Sequence, residues 1–227
     1  MGKVGNRIRL SIERPPRELV EKFREASPPD LADAMNKSGA MREIVPVYAP
    51  MQRLVGPAIT VKAPTGDALM VRKAMSVAQP GDVIVIDGRG TISRSLWGGN
   101  RSTTATARSI AGVIIDGGTR DIDETQAAGL PLFARAICPM ASASAGPGEL
   151  NYPIACGGVV VNPGDIIVAD AEGIVVIPRL DAEDVYADWC KIVEREKQWS
   201  ATARTGGQAG SDEVDRLLAE LGCEITA

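Results

Sequence analysis

The segment AGVIIDGGTRDIDE, residues 111–124, holds the side chains best suited to chemistry. An apolar run leads into two glycines and then into Arg120 and Asp121. If the run is a strand, the pair stands at its C-terminal end, the edge at which α/β sheets bind ligands. The guanidinium of Arg120 is a fixed fork of donors suited to a carboxylate or an enolate oxygen. Asp121 offers oxygen donors to a hard cation, directly or through water. The same two residues also read as a loop ion pair, with Asp121 capping the helix that follows.

A second constellation is SLWGGNRSTTA, residues 95–105. Gly98 and Gly99 precede Asn100, Ser102 and Thr103, all N-cap residue types. A helix starting here turns free amides and its positive end toward the loop, which suits an anion. Alone the loop reads equally as a turn, and the anion reading gains if it faces Arg120. Asp67, at the turn 66–67, reads most simply as a helix cap. Glu194 and Glu196 lie among Lys191, Arg195 and Lys197, as on a solvated helix face. Lys62, in the alternating run AITVKAP, is either an exposed strand lysine or a candidate Schiff-base amine.

The composition narrows the chemistry. The chain contains no histidine, which excludes Ser–His–Asp and Cys–His catalysis and any imidazole-ligated metal. Acid–base work then falls to carboxylates, Lys, Tyr, metal-bound water or the substrate. A metal would sit on oxygen, which favours Mg2+ or Mn2+ over zinc. Cys138, Cys156, Cys190 and Cys223 form no C-x-x-C pair, so buried small side chains or surface thiols are expected in place of a zinc site or disulfide frame. The net charge of -4 and the lack of a basic run argue against nucleic acid as partner. Every apolar run is too short to span a membrane, and residues 2–14 lack the apolar core of a signal peptide. A soluble cytoplasmic protein is expected.

The elements that must position these residues follow from hydrophobic periodicity and turn chemistry. Helices are predicted at 17–26, 30–37, 67–78, 101–110, from 122 through 128, at 182–204 and at 212–221. Strands are predicted at 56–63, 83–87, 111–116, 130–137, 152–161, 166–169 and 173–177. The turns at 79–82 and 162–165 share Pro-Gly-Asp, with the Asp leading into an apolar strand. One α/β domain with helical ends is the simplest organisation.

These segments resemble the RraA-like family. That family includes the regulator of ribonuclease E activity A and the class II pyruvate aldolases for 4-hydroxy-4-methyl-2-oxoglutarate and 4-carboxy-4-hydroxy-2-oxoadipate. The resemblance rests on LADAM (31–35), GPAITV (56–61), GDAL (66–69), PGDVIVID (80–87), WGGN (97–100), GVIIDGGTRD (112–121), LPLFAR (130–135) and GGVVVNPGDIIVADAEGIVVIP (157–178). It implies a swivelling α/β/β/α sandwich with helical N- and C-terminal extensions. One domain would span 1–227, with a core at about 30–180 and helices 182–222 in subunit contacts. Homotrimers or homohexamers with sites between subunits are implied.

The resemblance also implies a reaction. A small 2-oxo acid would chelate Mg2+ or Mn2+, Arg120 would bind the oxygen that becomes the enolate, and Asp121 would hold the metal. Amides of Gly98, Gly99, Asn100 and Arg101 would hold the substrate carboxylate. Aldol cleavage to pyruvate, oxaloacetate decarboxylation, or both would follow. The chain departs from the aldolases at Gly99, where they carry an acid. Arg101 adds a positive charge there, suited to a second acidic group of the substrate. Asp67, and Glu196 or Glu194 from a neighbouring subunit, are the further candidate acids. Two alternatives stand beside the lyase: a regulator of the ribonuclease E inhibitor type, and an enzyme of this fold acting on another small carboxylate.

Overall fold

The computed structural model describes residues 2–207, 210–224 and 226. Strand β1 (Asn6–Ile8) is followed by α1 (Arg17–Lys22), a 3-10 turn (Phe23–Glu25) and α2 (Pro28–Ala34). Then come β2 (Val45–Pro46), β3 (Leu54–Lys62), α3 (Leu69–Val77), β4 (Val83–Trp97), α4 (Gly99–Ala107), β5 (Gly112–Thr119), α5 (Ile122–Ala127) and β6 (Leu132–Ile137). The chain continues through β7 (Gly148–Leu150), β8 (Ile154–Cys156), β9 (Val159–Val161), β10 (Ile166–Asp170), β11 (Gly173–Ile177), α6 (Ala182–Arg204) and α7 (Ser211–Glu220).

Strands β3, β4, β5 and β6 run parallel and adjacent, and each successive pair is linked by one helix. All three crossovers therefore return the chain to the same edge. Their loops gather at the strands' C-terminal ends, where parallel sheets build sites. Strand β3 serves two layers. Its residues 58–62 pair with β4, while 54–57 pair antiparallel with β10 of the β10–β11 hairpin.

Four layers follow from which side chains each strand sends to which face. Ile84, Ile86, Val113 and Ile115 pack with Met70, Val71 and Ala74 of α3. The alternate residues Val83, Val85 and Ile114 meet Ile167, Ala169, Ile174 and Val176 of the hairpin. The hairpin's other face, Ile166, Val168, Val175 and Ile177, covers Leu19, Phe23, Leu31 and Val185 of the outer helices. Period-two alternation with both faces buried is what a strand inside a sandwich requires. The result is the mixed α/β/β/α arrangement expected from sequence.

Several boundaries differ from expectation. The predicted strand 83–87 continues to Trp97 through three register shifts against β5. Asp87 pairs with Asp116 and Trp97 with Thr119, so β4 spends ten residues where β5 spends three. This bulged course has no simple period, which is why sequence pattern stops at Asp87. The expected strand 152–161 is a hairpin, β8–β9, turned by Gly157 and Gly158 at positive φ. Ser27 caps α2 by accepting from the Asp30 amide, so the two prolines open that helix where a break was expected. The short strands β1, β2 and β7 carry no sequence signal; each is held by a distant partner strand.

Candidate active site

The register Trp97↔Thr119 sets the site, because it brings the residues that follow β4 and β5 side by side. The amide of Arg120 donates to the Trp97 carbonyl at 3.2 Å. Beneath lies a buried polar chain. Trp97 Nε1 donates to Ser102 Oγ at 3.0 Å, Ser102 and Thr125 hydroxyls meet at 2.8 Å, and Thr125 donates to the Asp121 carbonyl at 3.0 Å. Trp97, Ser102 and Thr125 are fully buried, so the chain ties α4 to the Arg120–Asp121 turn where water cannot compete. Sequence reasoning named Ser102 as a cap type and missed Trp97 and Thr125, which show their roles only once β4 and β5 are paired.

Asp121 occupies the N-cap position of α5 in the left-handed region, φ 57°. That conformation is costly for a residue with a Cβ and persists only where the surroundings enforce it. Its side chain does not cap α5. Oδ2 instead accepts from the Gly99 amide at 3.1 Å, the first turn of α4. The carboxylate thus sits where a bound anion could sit, at the positive end of a helix. The same Oδ2 is 3.4 Å from Arg120 Nε. Among the described residues the Arg120 guanidinium is otherwise held by a single 3.4 Å bond from Nη1 to the Pro139 carbonyl. A Cβ on Gly98 would lie 2.5 Å from Asp121 Oδ2 and 3.4 Å from Arg120 Nε, so glycine is what allows this approach.

Arg101 stands half-buried in the first turn of α4. Burial, then the like charges of Arg72 and Arg120, press its guanidinium below the ordinary arginine value. Among the described residues, neither the Arg101 nor the Arg72 guanidinium has a hydrogen bond or ion pair. With only Asp121 beside Arg120 to answer three guanidinium groups, the remaining positive charge attracts an anion. Asn100 is the second residue of α4, between Gly99 and Arg101.

The other candidates lie elsewhere. Asp67 is buried, and although burial alone would raise its pKa, bonds from the amides of Leu69, Ala145 and Gly146 hold it below the usual carboxylate range. It stands one residue before the N-cap of α3 and pins the 143–146 segment. Lys62 faces Glu149 at 3.7 Å, as an ion-paired strand lysine. Glu194 and Glu196 are exposed on α6, Glu194 with Lys197 at 3.7 Å. Neither makes a hydrogen bond or ion pair to the loop 98–101 or to Arg120–Asp121 among the described residues of one chain. Cys138 and Cys156 are buried, Cys190 and Cys223 exposed, and all four are free, as expected. No helix among the described residues is long and apolar enough to cross a membrane.

Among the described residues no group of three or more acidic or thiol side chains is placed to hold a metal ion. A metal here would rest on one or two carboxylates, with water and substrate completing its shell, which suits Mg2+ or Mn2+. Asp121 fits, since among the described residues its second oxygen has no partner.

Comparison with known proteins places the chain in a family. The RraA-like family (Aldolase/RraA) matches residues 28–176. A protein of Halalkalibacterium halodurans that provisionally carries the name 4-hydroxy-4-methyl-2-oxoglutarate aldolase is 36% identical over 204 residues, 90% of this chain and 94% of its own. A solved structure of an uncharacterised protein from Pseudomonas syringae superposes with TM-score 0.78 at 27% identity, covering 87% of this chain and 93% of the other. The RNA-processing inhibitor RraA from Thermus thermophilis superposes with TM-score 0.62 at 31% identity, covering 68% and 93%. With the family matched from α2 to β11 and the arginine–aspartate turn at its sheet edge, the chain belongs to the RraA-like family.

Proposed function

We propose that this chain is a divalent-cation-dependent carbon–carbon lyase of 2-oxo acids, cleaving an aldol to pyruvate, decarboxylating oxaloacetate, or both. The observation that carries this reading is the incompletely paired Arg120 beside Asp121 at the C-terminal edge of β5. Arg120 directs Nε and Nη donors to the substrate's 2-oxo oxygen, where negative charge grows as the carbon–carbon bond breaks. Asp121 holds Mg2+ or Mn2+ through its free oxygen, and the cation supplies Lewis-acid stabilisation of that same charge. Arg101, with Arg72 behind it, binds a second carboxylate of the substrate. With Asp121 on the Gly99 amide, the Asn100 amide in the first turn of α4 is left for the 2-oxo acid carboxylate.

Oligomers with sites between subunits belong to this reading. Val214, Leu217 and Leu221 are exposed along the α7 face, an apolar stripe that suits a subunit contact. Glu196 or Glu194 of α6 would reach a neighbour's site. Sedimentation at micromolar concentration distinguishes a trimer or hexamer from a monomer.

The test is turnover of oxaloacetate and of 4-hydroxy-4-methyl-2-oxoglutarate with Mg2+ or Mn2+, before and after chelation. Arg120→Ala should cost about 100- to 1,000-fold. No turnover of either compound overturns the reading. The regulator reading is favoured by the likeness to the Thermus inhibitor. Binding to ribonuclease E by a chain inert toward both compounds would establish it instead.

A further inference from the structure

At the N-terminal edge of the sheet, opposite Arg120 and Asp121, the segments 80–82, 109–111 and 129–131 lead into β4, β5 and β6. Two hollows of about 480 and 310 Å3 open there, and Arg24, Val55, Gly81 and Ser109 line both. They form one groove of a size that takes a small molecule. Four guanidiniums line it, those of Arg14, Arg17, Arg24 and Arg53, against the two carboxylates of Glu21 and Asp82. A third carboxylate, Asp170, pairs with Arg53 from outside the lining. Positive charge is therefore in excess along this groove, on a chain whose net charge is -4. A cleft lined by one sign of charge concentrates ions of the other.

The carboxylates fix these guanidiniums without using them up. Asp82 accepts from Nε and Nη2 of Arg14 at 2.8 and 2.7 Å. Glu21 accepts from Nε and Nη2 of Arg24. Among the described residues the Nη1 of each arginine has no partner. Arg17 has a 3.9 Å approach to Glu21, and its side chain is 90% exposed. The larger hollow thus holds two guanidiniums locked in place, each with one arm open, and a third that swings freely. Donors already held still cost a ligand less ordering on binding. A phosphoryl group, with nearly two negative charges and three terminal oxygens, can answer all three. Arg53 carries the charge into the smaller hollow, where Gln52, Thr106 and Ser109 add polar groups.

We infer that this groove binds a small phosphate or diphosphate ester. Its phosphoryl group lies among Arg14, Arg17 and Arg24, and the smaller hollow takes the rest of the molecule. The site is apart from the Arg120–Asp121 turn and does not depend on the lyase reading.

Calorimetric titration of the whole protein with pyrophosphate and with ribose 5-phosphate tests it, without divalent cation and at about 0.15 M salt, where loose surface attraction is screened. Wild type should bind both. The double variant Arg17→Ala/Arg24→Ala should weaken both about 10- to 100-fold. Its thermal unfolding should stay close to wild type, because both arginines are exposed and exposed ion pairs contribute little. Arg120→Ala should bind both probes like wild type, which separates the groove from the candidate active site. If wild type leaves either probe unbound, if the double variant binds like wild type, or if Arg120→Ala loses binding, the groove is not a phosphate-ester site.

Discussion

Asp121 Oδ2 accepts the amide of Gly99 at 3.1 Å, although Asp121 stands at the head of α5 and Gly99 at the head of α4. One carboxylate thereby couples the loops after two neighbouring strands. It also explains the left-handed backbone at Asp121. That conformation turns the side chain away from its own helix and onto the next one, and the hydrogen bond offsets part of the strain. An arginine–aspartate pair built this way is held in place by the sheet beneath it.

Arg101 is expected to bind substrate without taking part in bond cleavage. Arg101→Ala should raise KM for oxaloacetate about tenfold, about 1.4 kcal/mol, and leave kcat within about twofold. A change confined to KM is the signature of binding shared by ground and transition states. Steady-state kinetics at saturating Mn2+ decide the matter. An unchanged KM removes Arg101 from the substrate contacts.

The buried chain under the site should show an order of losses. Ser102→Ala leaves the Trp97 indole N–H buried without an acceptor and should cost about 1–3 kcal/mol. Thr125→Val leaves Ser102 its bond from Trp97 and should cost about 1 kcal/mol. Urea midpoints at constant m-value measure both. The reverse order would show that the chain is held from the Thr125 end.

Asp87 should make stability fall as pH rises. Burial, then the like charge of Asp116 on the next strand, push its carboxyl above the usual carboxylate range, against the Arg89 amide and the charges of Arg89 and Lys62. The folded protein keeps a proton that the unfolded chain has already released. Between the unfolded pKa, about 3.9, and the raised folded value, unfolding therefore becomes easier with rising pH. Asp87→Asn, neutral throughout, should be more stable near neutral pH and flatten that slope. Chemical denaturation across the acidic range would reveal it, and parallel curves for the two proteins would refute it.

Arg14 donates to both carboxylate oxygens of Asp82, at 2.8 and 2.7 Å, and Asp82 is almost wholly buried. Among the described residues, Arg14→Ala leaves that carboxylate the Gln79 amide alone and should cost about 3 kcal/mol. The matching Asp165 takes its shorter bonds from the backbone amides of Asn162 and Arg179, with the Asn162 side chain donating at 3.3 Å. Arg179→Ala removes a side chain and keeps that amide, so it should cost much less. Comparing the two variants by thermal unfolding separates a turn secured by a side chain from one secured by backbone.

Much of this was legible in the sequence because it is local. The alternation in VIVID and GVIID, the helix at 182–204 and the two Pro-Gly-Asp turns each depend on neighbours a few residues away, and each appears where its pattern places it. Arg120 and Asp121 were visible as a charged pair behind two glycines. What local pattern could not carry was pairing at a distance. The second half of β4 has no period, and β1 is a strand only because β7, over 140 positions on, lies against it.

The sequence alone determined the chemical alphabet: no imidazole, four cysteines without a C-x-x-C pair, and an arginine–aspartate pair that a strand must deliver to an edge. The tertiary structure decided who meets whom. The register of β4 on β5 set Gly98 and Gly99 against Arg120 and Asp121. The first turn of α5 then laid Glu124 over Gly99, a meeting of residues twenty-five positions apart. Such a meeting depends on the rotation of a helix on a sheet, and packing settles that rotation only when the whole core is formed.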